Sequence, residues 1–211
     1  MNLTHPTVLT LGHSNHPPEV FIGLLVRHGV DEVIDVRSAP YSRYASQFNY
    51  EGIHRMLEDI GIGYAYLGGE LGGRPVDRSC YDSDGRVQYD RVAATDAFGD
   101  ALRRVARVAD ENRVALLCTE KEPLECHRTL LVARALADRD VDVAHIQYDG
   151  FLESHDDAMS RLLNLHKLPL HGDMFRTRAD VVAEAIDRQA RKFAYVAAEV
   201  SPPIAEWETG P

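Results

Sequence analysis

The chain has 211 residues, of which 45% are hydrophobic and 27% are charged, a balance typical of a globular protein rather than of a disordered or fibrous one. Its formal net charge of −10 argues against general binding to nucleic acid or to an acidic membrane surface. Three cysteines, a low and odd number, argue against a secreted disulfide scaffold. We see no signal-peptide pattern and no apolar run approaching the ~18 residues of a membrane span, so we expect a cytoplasmic protein without membrane contact.

Short apolar runs between polar residues predict buried strands, and apolar residues three and four positions apart predict helices. The predicted strands are residues 7–11, 32–37, 63–67, 114–118 and 141–146. The predicted helices between them are residues 18–28, 50–61, 90–111 and 126–137. This alternation predicts an α/β protein with three α/β/α layers and a five-stranded, mainly parallel sheet. We expect the strand order 3-2-1-4-5, which places the first and fourth strands side by side.

The domain organisation follows from where this alternation stops. We expect residues 1–150 to form the α/β domain and to carry the functional site. Residues 151–200 are predicted to form a helical appendage without a strand, with helices at 155–165 and 178–196. The appendage is expected to pack on the domain or on a partner subunit, which would make a homo-oligomer through these helices. Residues 201–211 are expected to be a frayed tail.

The site is predicted around the segment from Arg113 to Ala137, where a buried strand runs through a charged loop into a helix start. Open α/β sheets bind their ligands at such places. A helix start favours the thiolate of Cys126, His127 could carry a proton, and the planar fork of Arg128 suits a carboxylate or phosphate. The alternatives are an inert buried thiol and a structural ion pair between Arg128 and a loop glutamate.

Two more residue types of this segment bear on its chemistry. Glu120 lies just after the strand, where a carboxyl group could act as a general acid or base, the alternative being a solvated loop charge. Cys118 closes the strand and is predicted to be buried and inert. Its separation from Cys126 is not a CxxC spacing, so we predict no metal site.

The ends of the first two strands also carry polar residues. Gly12, His13 and Ser14 follow the first strand, the alternative to a functional role being an ordinary turn. Asp35 and Arg37 lie on one face at the end of the second strand, the alternative being a structural ion pair. The chain contains neither GxGxxG nor a P-loop pattern, and no cofactor is predicted.

Two long loops, after the second and third predicted strands, are expected to form the rim and lid of the site. Tyr41 and Phe48 would stack on a planar ligand, and Arg43 and Arg74 would bind an anionic group. The alternative for all four residues is ordinary loop packing.

Four motifs in this order carry a family resemblance: GHS, DVRSAPYSR…QFN, ELGGRP and LLCTEKEPLECHR. Over roughly residues 7–148 the chain resembles the domain-of-unknown-function family 488, and the helical tail resembles its longer members. The resemblance implies a three-layer α/β domain whose motif loops belong together, and it implies no substrate. The IDVR strand is also similar to that of rhodanese-type sulfurtransferases. Here, however, the loop between Cys118 and Arg128 is longer and acidic, which argues against an anionic sulfur or phosphate substrate.

These observations predict a cofactor-independent enzyme of hydrolase or glycosidic-bond transferase type, acting on a small polar or anionic, nucleotide-like ligand at the carboxyl ends of the strands. One alternative is a non-catalytic ligand-sensing or partner-binding domain, and a weaker one is a rhodanese-like or metal/thiol redox protein. The predicted catalytic residues are His13, Glu120, Cys126 and His127. The predicted ligand-binding residues are Gly12, Ser14, Asp35, Arg37, Arg43, Phe48, Arg74 and Arg128.

Overall fold

A six-stranded sheet forms the centre of the computed structural model, which describes residues 7–198 of the chain. Its strands are β1 (Thr7–Gly12), β2 (Glu32–Asp35), β3 (Gly63–Tyr66), β4 (Val114–Cys118), β5 (Asp142–Ile146) and β6 (Leu152–Ser154). Across the sheet they lie in the order β3-β2-β4-β1-β5-β6, and all neighbours are parallel except β5 and β6. The predicted α/β class with a mainly parallel sheet is confirmed.

The number and order of the strands differ from the prediction. The sixth strand, Leu152–Ser154, pairs with β5 in a segment that we predicted to contain helices only. The predicted adjacency of β1 and β4 is confirmed, with Gly12 opposite Cys118. However, the prediction placed β1 between β2 and β4, whereas in the structure β4 lies between β2 and β1. Both central strands are buried on both faces, so neither sequence reveals which of them borders β2.

Helices cover both faces of this sheet. They are α1 (Pro18–Arg27), α2 (Tyr50–Glu58), α3 (Gly68–Leu71), α4 (Tyr89–Ala93), α5 (Asp96–Ala109), α6 (Arg134–Ala137), α7 (His155–Leu165) and α8 (Arg178–Phe193). A π-helical turn, Arg128–Ala133, leads directly into α6. Helices α1 and α2 pack on one face and α5 to α8 on the other, which completes the three predicted layers.

Side-chain alternation along the strands divides the core between the two faces. In β1, Leu9 and Leu11 pack with Phe21 in the layer of α1 and α2, whereas Val8 points into the opposite layer. Every residue of β4 is buried, which explains its continuous apolar run. The same burial encloses Cys118, the last residue of β4, at the edge of the sheet where the loops converge.

The predicted helix over residues 50–61 ends at Glu58, and two other predicted helices are divided or begin elsewhere in the structure. The predicted helix over residues 90–111 is two helices, because the Thr95 side chain accepts a backbone hydrogen bond and caps the start of α5. Cys126 does not open a helix. It is extended and follows a 3-10 turn that begins with Pro123, and the π-helical segment begins two residues later, at Arg128.

The segment after β5 belongs to the same layers as the rest of the chain. Helices α7 and α8 add buried apolar side chains, including those of Leu162 and Ile186, to the core on the face of the sheet that α5 to α8 cover. The predicted helix over residues 178–196 ends at Phe193. The predicted frayed tail, residues 201–211, lies outside the described residues. Between residues 7 and 198, none of the helices combines the length and the apolar character that crossing a bilayer requires.

Candidate functional site

A cleft opens where the loops after β2, β3 and β4 meet the end of α8. Its volume is about 340 Å³, within the size range of small-molecule sites. Polar side chains on its walls are those of Arg37, Ser38, Ser42, Arg74, Thr119 and the exposed Glu125. Aromatic side chains on its walls are those of Tyr41, Tyr89, Phe193 and Tyr195. A cleft with this lining can hold a ligand that has both a planar part and an anionic part.

Four side chains converge in this cleft, and we call Cys118, Glu120, Cys126 and His127 the floor cluster. Oε2 of Glu120 lies 2.9 Å from the Sγ atoms of both Cys118 and Cys126. Nδ1 of His127 lies 3.7 Å from Cys118 Sγ and 3.9 Å from Cys126 Sγ. One donor atom from each residue lies within 4.8 Å of the other three. The cluster therefore combines two thiols, a carboxyl group and an imidazole in direct contact.

The loop between β4 and the π-helical turn folds back on itself and so brings the two cysteines together. The side chain of Glu122 accepts the backbone hydrogen bond of Leu124 and starts the 3-10 turn. Nη1 of Arg128 donates to the carbonyl oxygen of Glu120 at 2.7 Å. The same carbonyl oxygen packs on Gly12, where a Cβ atom would lie only 1.8 Å away. Gly12 therefore permits the close approach of this loop to β1.

The imidazole of His127 is held in one orientation. Its Nε2 lies 2.9 Å from the carbonyl oxygen of Val36, to which it donates because a carbonyl can only accept. The ring also packs against Gly73, where a Cβ atom would lie 2.9 Å from Cγ of the ring. With the Nε2 proton fixed in this way, Nδ1 faces the two sulfur atoms.

The four groups shift one another's protonation. Burial, aided by Cys126 and Glu120, raises the pKa of the Cys118 thiol well above its ordinary value. Burial also opposes ionisation of Cys126. The hydrogen bond from Cys118 and the positive charges of Arg128 and His127 outweigh that effect, and the pKa of Cys126 falls well below its ordinary value. Cys126 is thus the thiol on which negative charge accumulates.

The carboxyl group and the imidazole respond to that charge. Part of the Glu120 side chain reaches solvent, but its carboxyl group packs between the thiols, and this burial together with the charge on Cys126 raises the pKa of Glu120. Burial disfavours protonation of His127. The negative charge of Cys126 and the carboxyl group of Glu120 outweigh that effect and raise the pKa of His127. The cluster can therefore hold and exchange protons among its members.

The end of β1 forms a separate, buried network. His13 donates from Nδ1 to the Ser14 carbonyl at 2.9 Å, accepts from Nη1 of Arg37 at 3.2 Å, and stacks on Phe48. Arg37 is in turn held by Asp35 through Nε at 2.9 Å and Nη2 at 2.6 Å. Burial, followed by the charge of Arg37, lowers the pKa of His13 to about 4. His13 is therefore a neutral, enclosed imidazole at neutral pH.

The predicted site residues fall into two groups in the structure. The cleft is lined by Arg37, Arg74, Glu120, Cys126 and His127. The cleft lining does not include Gly12, His13, Ser14, Asp35, Arg43, Phe48 or Arg128. Most of the second group lies in or beside the buried network at the end of β1, whereas Arg43 is exposed on its loop. Arg128 is completely buried and donates a hydrogen bond to the backbone carbonyl of Glu120, in the loop of the floor cluster.

Three aromatic residues of the cleft were not among the predicted site residues. Tyr89 begins α4, while Phe193 ends α8 and Tyr195 follows it. The guanidinium of Arg74 stacks on the ring of Tyr195 at 4.6 Å, so the end of α8 completes the cleft wall. The only sign of this cleft wall in the sequence is the aromatic pair Phe193 and Tyr195 at the end of the last predicted helix. Such a pair is equally consistent with ordinary packing.

Comparisons with known proteins agree with the predicted resemblance. Residues 17–135, more than half of the chain, match the family described as Domain of unknown function DUF488. The matched range contains the floor cluster, Arg37 and Arg74, and it ends before α7 and α8. Neither the curated proteins nor the solved structures contain a match to the chain. On the strength of the family match, the chain belongs to the DUF488 family, whose description assigns no function.

Proposed function

We propose that this protein is an enzyme of the hydrolase or group-transfer type that acts on a small polar or anionic substrate in the cleft. The observation that carries the proposal is the position of Glu120. Its side chain reaches the cleft while Oε2 contacts both thiols of the floor cluster at 2.9 Å. A carboxyl group beside an oriented imidazole is a suitable acid–base centre for such reactions.

Arg74 supports an anionic group on the substrate. Its side chain is exposed in the cleft wall, stacks on Tyr195, and forms no ion pair with any of the described residues 7–198. The backbone N–H of Arg74 donates to Oγ of Ser38 at 2.9 Å, which fixes the backbone from which the Arg74 side chain extends. A planar guanidinium held in this way suits a carboxylate or phosphate. The exposed ring of Tyr41 opposite offers a surface for a planar, nucleotide-like part of the same molecule.

The proposed chemistry requires only proton transfers from the protein itself. In hydrolysis, water adds its hydroxyl group to the electrophilic atom of the substrate, and Glu120 accepts the remaining proton. The bond from that atom to the leaving group breaks as the same carboxyl group delivers the proton to the leaving group, so one water is consumed and Glu120 returns to its starting protonation state. In group transfer, an alcohol or amine takes the place of water. The fixed Nε2–H of His127 keeps its ring beside Glu120 throughout.

The proposal is tested by turnover of a substrate panel. Purified protein is incubated with carboxylic esters, phosphate esters, nucleosides and nucleotides, and the products are followed by liquid chromatography and NMR. We expect one class of compound to be converted by the wild type. The control variant Glu111→Gln changes an exposed carboxylate at the opposite end of β4 from the cleft, and it should convert the same class. Glu120→Gln should be slower by about 10²–10⁴-fold, the usual contribution of a positioned acid–base group.

The non-catalytic ligand-sensing alternative gives a different result in the same panel. A sensing domain would bind one compound class by calorimetry, and the wild type would convert none of it. Loss of one charged contact through Arg74→Gln should weaken such binding by about 10–100-fold, whereas Arg107→Gln, on the exposed side of α5, should not. Binding that depends on Arg74 without any turnover would refute the enzyme proposal and support the sensing alternative.

A further inference from the structure

The floor cluster has the donor types and the spacing of a metal centre. In a tetrahedral zinc site with Zn–S of about 2.3 Å and Zn–N of about 2.0 Å, neighbouring donors lie about 3.5–3.8 Å apart. Nδ1 of His127 lies 3.7 Å and 3.9 Å from the sulfur atoms of Cys118 and Cys126, in agreement with that spacing. Oε2 of Glu120, at 2.9 Å from each sulfur, needs to move outward by only about half an ångström to take the fourth position.

The hydrogen bond of His127 leaves the correct nitrogen available. Metal-binding histidines normally donate their second ring N–H to a carbonyl or carboxylate, which fixes the tautomer. Here Nε2 donates to the Val36 carbonyl at 2.9 Å, so in the neutral ring the lone pair is on Nδ1, the atom that faces the two sulfurs. Packing of the ring on Gly73 holds this orientation. The arrangement is that of a metal ligand with its outer hydrogen bond already in place.

The buried charge of Arg128 requires a nearby anion. Its side chain is 0% exposed, and its polar contacts are with the carbonyl oxygens of Glu120 and Lys121 rather than with a carboxylate. Among residues 7–198, nothing forms a hydrogen bond with its Nε. A buried cation is costly unless a negative charge lies close by. The backbone N–H of Arg128 points at Cys126 Sγ, 3.4 Å away, so negative charge on that sulfur would lie beside this residue.

From these three observations we propose that Cys118, Cys126 and His127 bind a zinc ion, with Glu120 at the fourth, exchangeable position facing the cleft. Two thiolates and an imidazole favour Zn²⁺ over Mg²⁺ or Ca²⁺, which prefer oxygen ligands. With two thiolates and one carboxylate, the zinc centre carries a net charge of about −1, which the adjacent guanidinium of Arg128 balances. Three firm ligands and one replaceable position beside a cleft are typical of catalytic rather than structural zinc.

The zinc inference goes beyond the proposed reaction and does not depend on it. The two roles of Glu120 are compatible because its position is exchangeable: the carboxyl group is a ligand while the cleft is empty and is free to carry a proton once a substrate displaces it. It rests on the positions of donor atoms, and its test reads metal content rather than turnover. The absence of zinc would leave the Glu120 experiment unaffected, and the absence of turnover would leave the zinc site unaffected.

The experiment is metal analysis of the full chain purified without chelators and then equilibrated with excess Zn²⁺ and desalted. We expect one zinc per chain by native mass spectrometry and elemental analysis. Replacement by Co²⁺ should give the intense visible bands of a tetrahedral ion and near-ultraviolet thiolate-to-cobalt charge-transfer bands. Cys118→Ser, Cys126→Ser and His127→Gln should each weaken zinc binding by more than the ~10–100-fold that loss of an outer partner produces.

The third cysteine provides the matched control. Cys80 is buried like the other two but lies outside the floor cluster, in a 3-10 turn, so Cys80→Ser should keep one zinc per chain. If a cluster variant does not fold, the sulfur count from X-ray absorption of the zinc-loaded wild type decides instead, two sulfurs supporting the proposal. Wild-type protein that retains no zinc, that shows no charge-transfer bands with Co²⁺, or that forms a Cys118–Cys126 disulfide under reducing conditions would overturn it.

Discussion

His13 provides a prediction whose size can be worked out from its surroundings. The side chain is 0% exposed, stacks on Phe48 and accepts a hydrogen bond from Arg37. Burial and the charge of Arg37 lower the pKa of His13 from 6.5 to about 4, against the weaker opposing effects of the hydrogen bond to Ser14 and of the charges of Asp35 and Glu120. The native state therefore stays unprotonated at His13 in a pH range where the unfolded chain takes up a proton. We expect stability to fall in that range.

The sign and magnitude follow from proton linkage. Because the folded pKa lies below the unfolded value, the contribution of His13 is fully present above pH 6.5 and is lost as the pH falls toward 4. At 1.36 kcal/mol per pKa unit, the total loss is about 3 kcal/mol, of which about 2 kcal/mol appears between about pH 7 and pH 5. His13→Gln keeps a side chain that can accept from Arg37 but removes the titration. The variant should lack this part of the pH dependence.

The measurement is urea unfolding of both proteins at pH 7 and pH 5, followed by circular dichroism. His145 and His155 also have lowered pKa values through burial, and their contributions cancel in the comparison because both proteins contain them. Val26→Gln, at an exposed position on α1, serves as the control because it changes no titratable group, and it should have the slope of the wild type. If the His13→Gln variant loses as much stability as the wild type between the two pH values, His13 titrates normally and the buried network is wrongly described.

Four further substitutions concern stability and are measured by chemical and thermal unfolding. Gly12→Ala should destabilise the protein by about 1–3 kcal/mol because its Cβ would meet the Glu120 carbonyl at 1.8 Å. Gly23→Ala, in α1, where no atom of the described part of the chain lies within 4 Å of the new Cβ, should instead stabilise it by about 0.5–1 kcal/mol, and equal effects of the two alanines would contradict both explanations. Asp35→Asn should lower the free energy of unfolding by about 3–5 kcal/mol, since it leaves the buried Arg37 unpaired. Thr95→Ala should lower it by about 1 kcal/mol through loss of the α5 cap, and an unchanged value would mean that the cap is not used.

The positions of β1, β2, β4 and β5 could be predicted because each is a short apolar run that its neighbours bury. β3 was also predicted, although it lies at the edge of the sheet and is only partly buried. Their order could not, because β1 and β4 are both buried on both faces and their side chains do not identify the strand that borders β2. The sixth strand, Leu152–Ser154, is partly exposed at the edge of the sheet and has no apolar run to mark it. Its pairing with β5 follows from the path of the chain rather than from its composition.

The site was predictable where chemistry and strand ends coincide in the sequence. Glu120, Cys126 and His127 lie together in one loop, and the fold places all three at the cleft floor. Cys118 was interpreted as an inert core thiol because it closes an apolar strand, and no metal site was predicted because its separation from Cys126 is not a CxxC spacing. The spacing does not show that the loop doubles back through a 3-10 turn, which brings the two ends of the loop together. Only the folded loop shows that one donor atom from each residue of the floor cluster lies within 4.8 Å of the other three.

Arg128 illustrates how the fold changes the role that a residue type suggests. A planar cation beside a helix start is typical of an anion-binding residue, and in an open cleft it would contact the ligand directly. Here β1 and the loop of the floor cluster enclose it, and Gly12 permits the close contact that shuts it off from the cleft. A guanidinium in that position stabilises negative charge on Cys126 and holds the Glu120 carbonyl, while Arg74, at the open rim, is the arginine that we propose binds the ligand. Under that proposal two tasks that one arginine would otherwise share are divided between two: charge compensation beside the floor cluster and recognition of the ligand in the cleft.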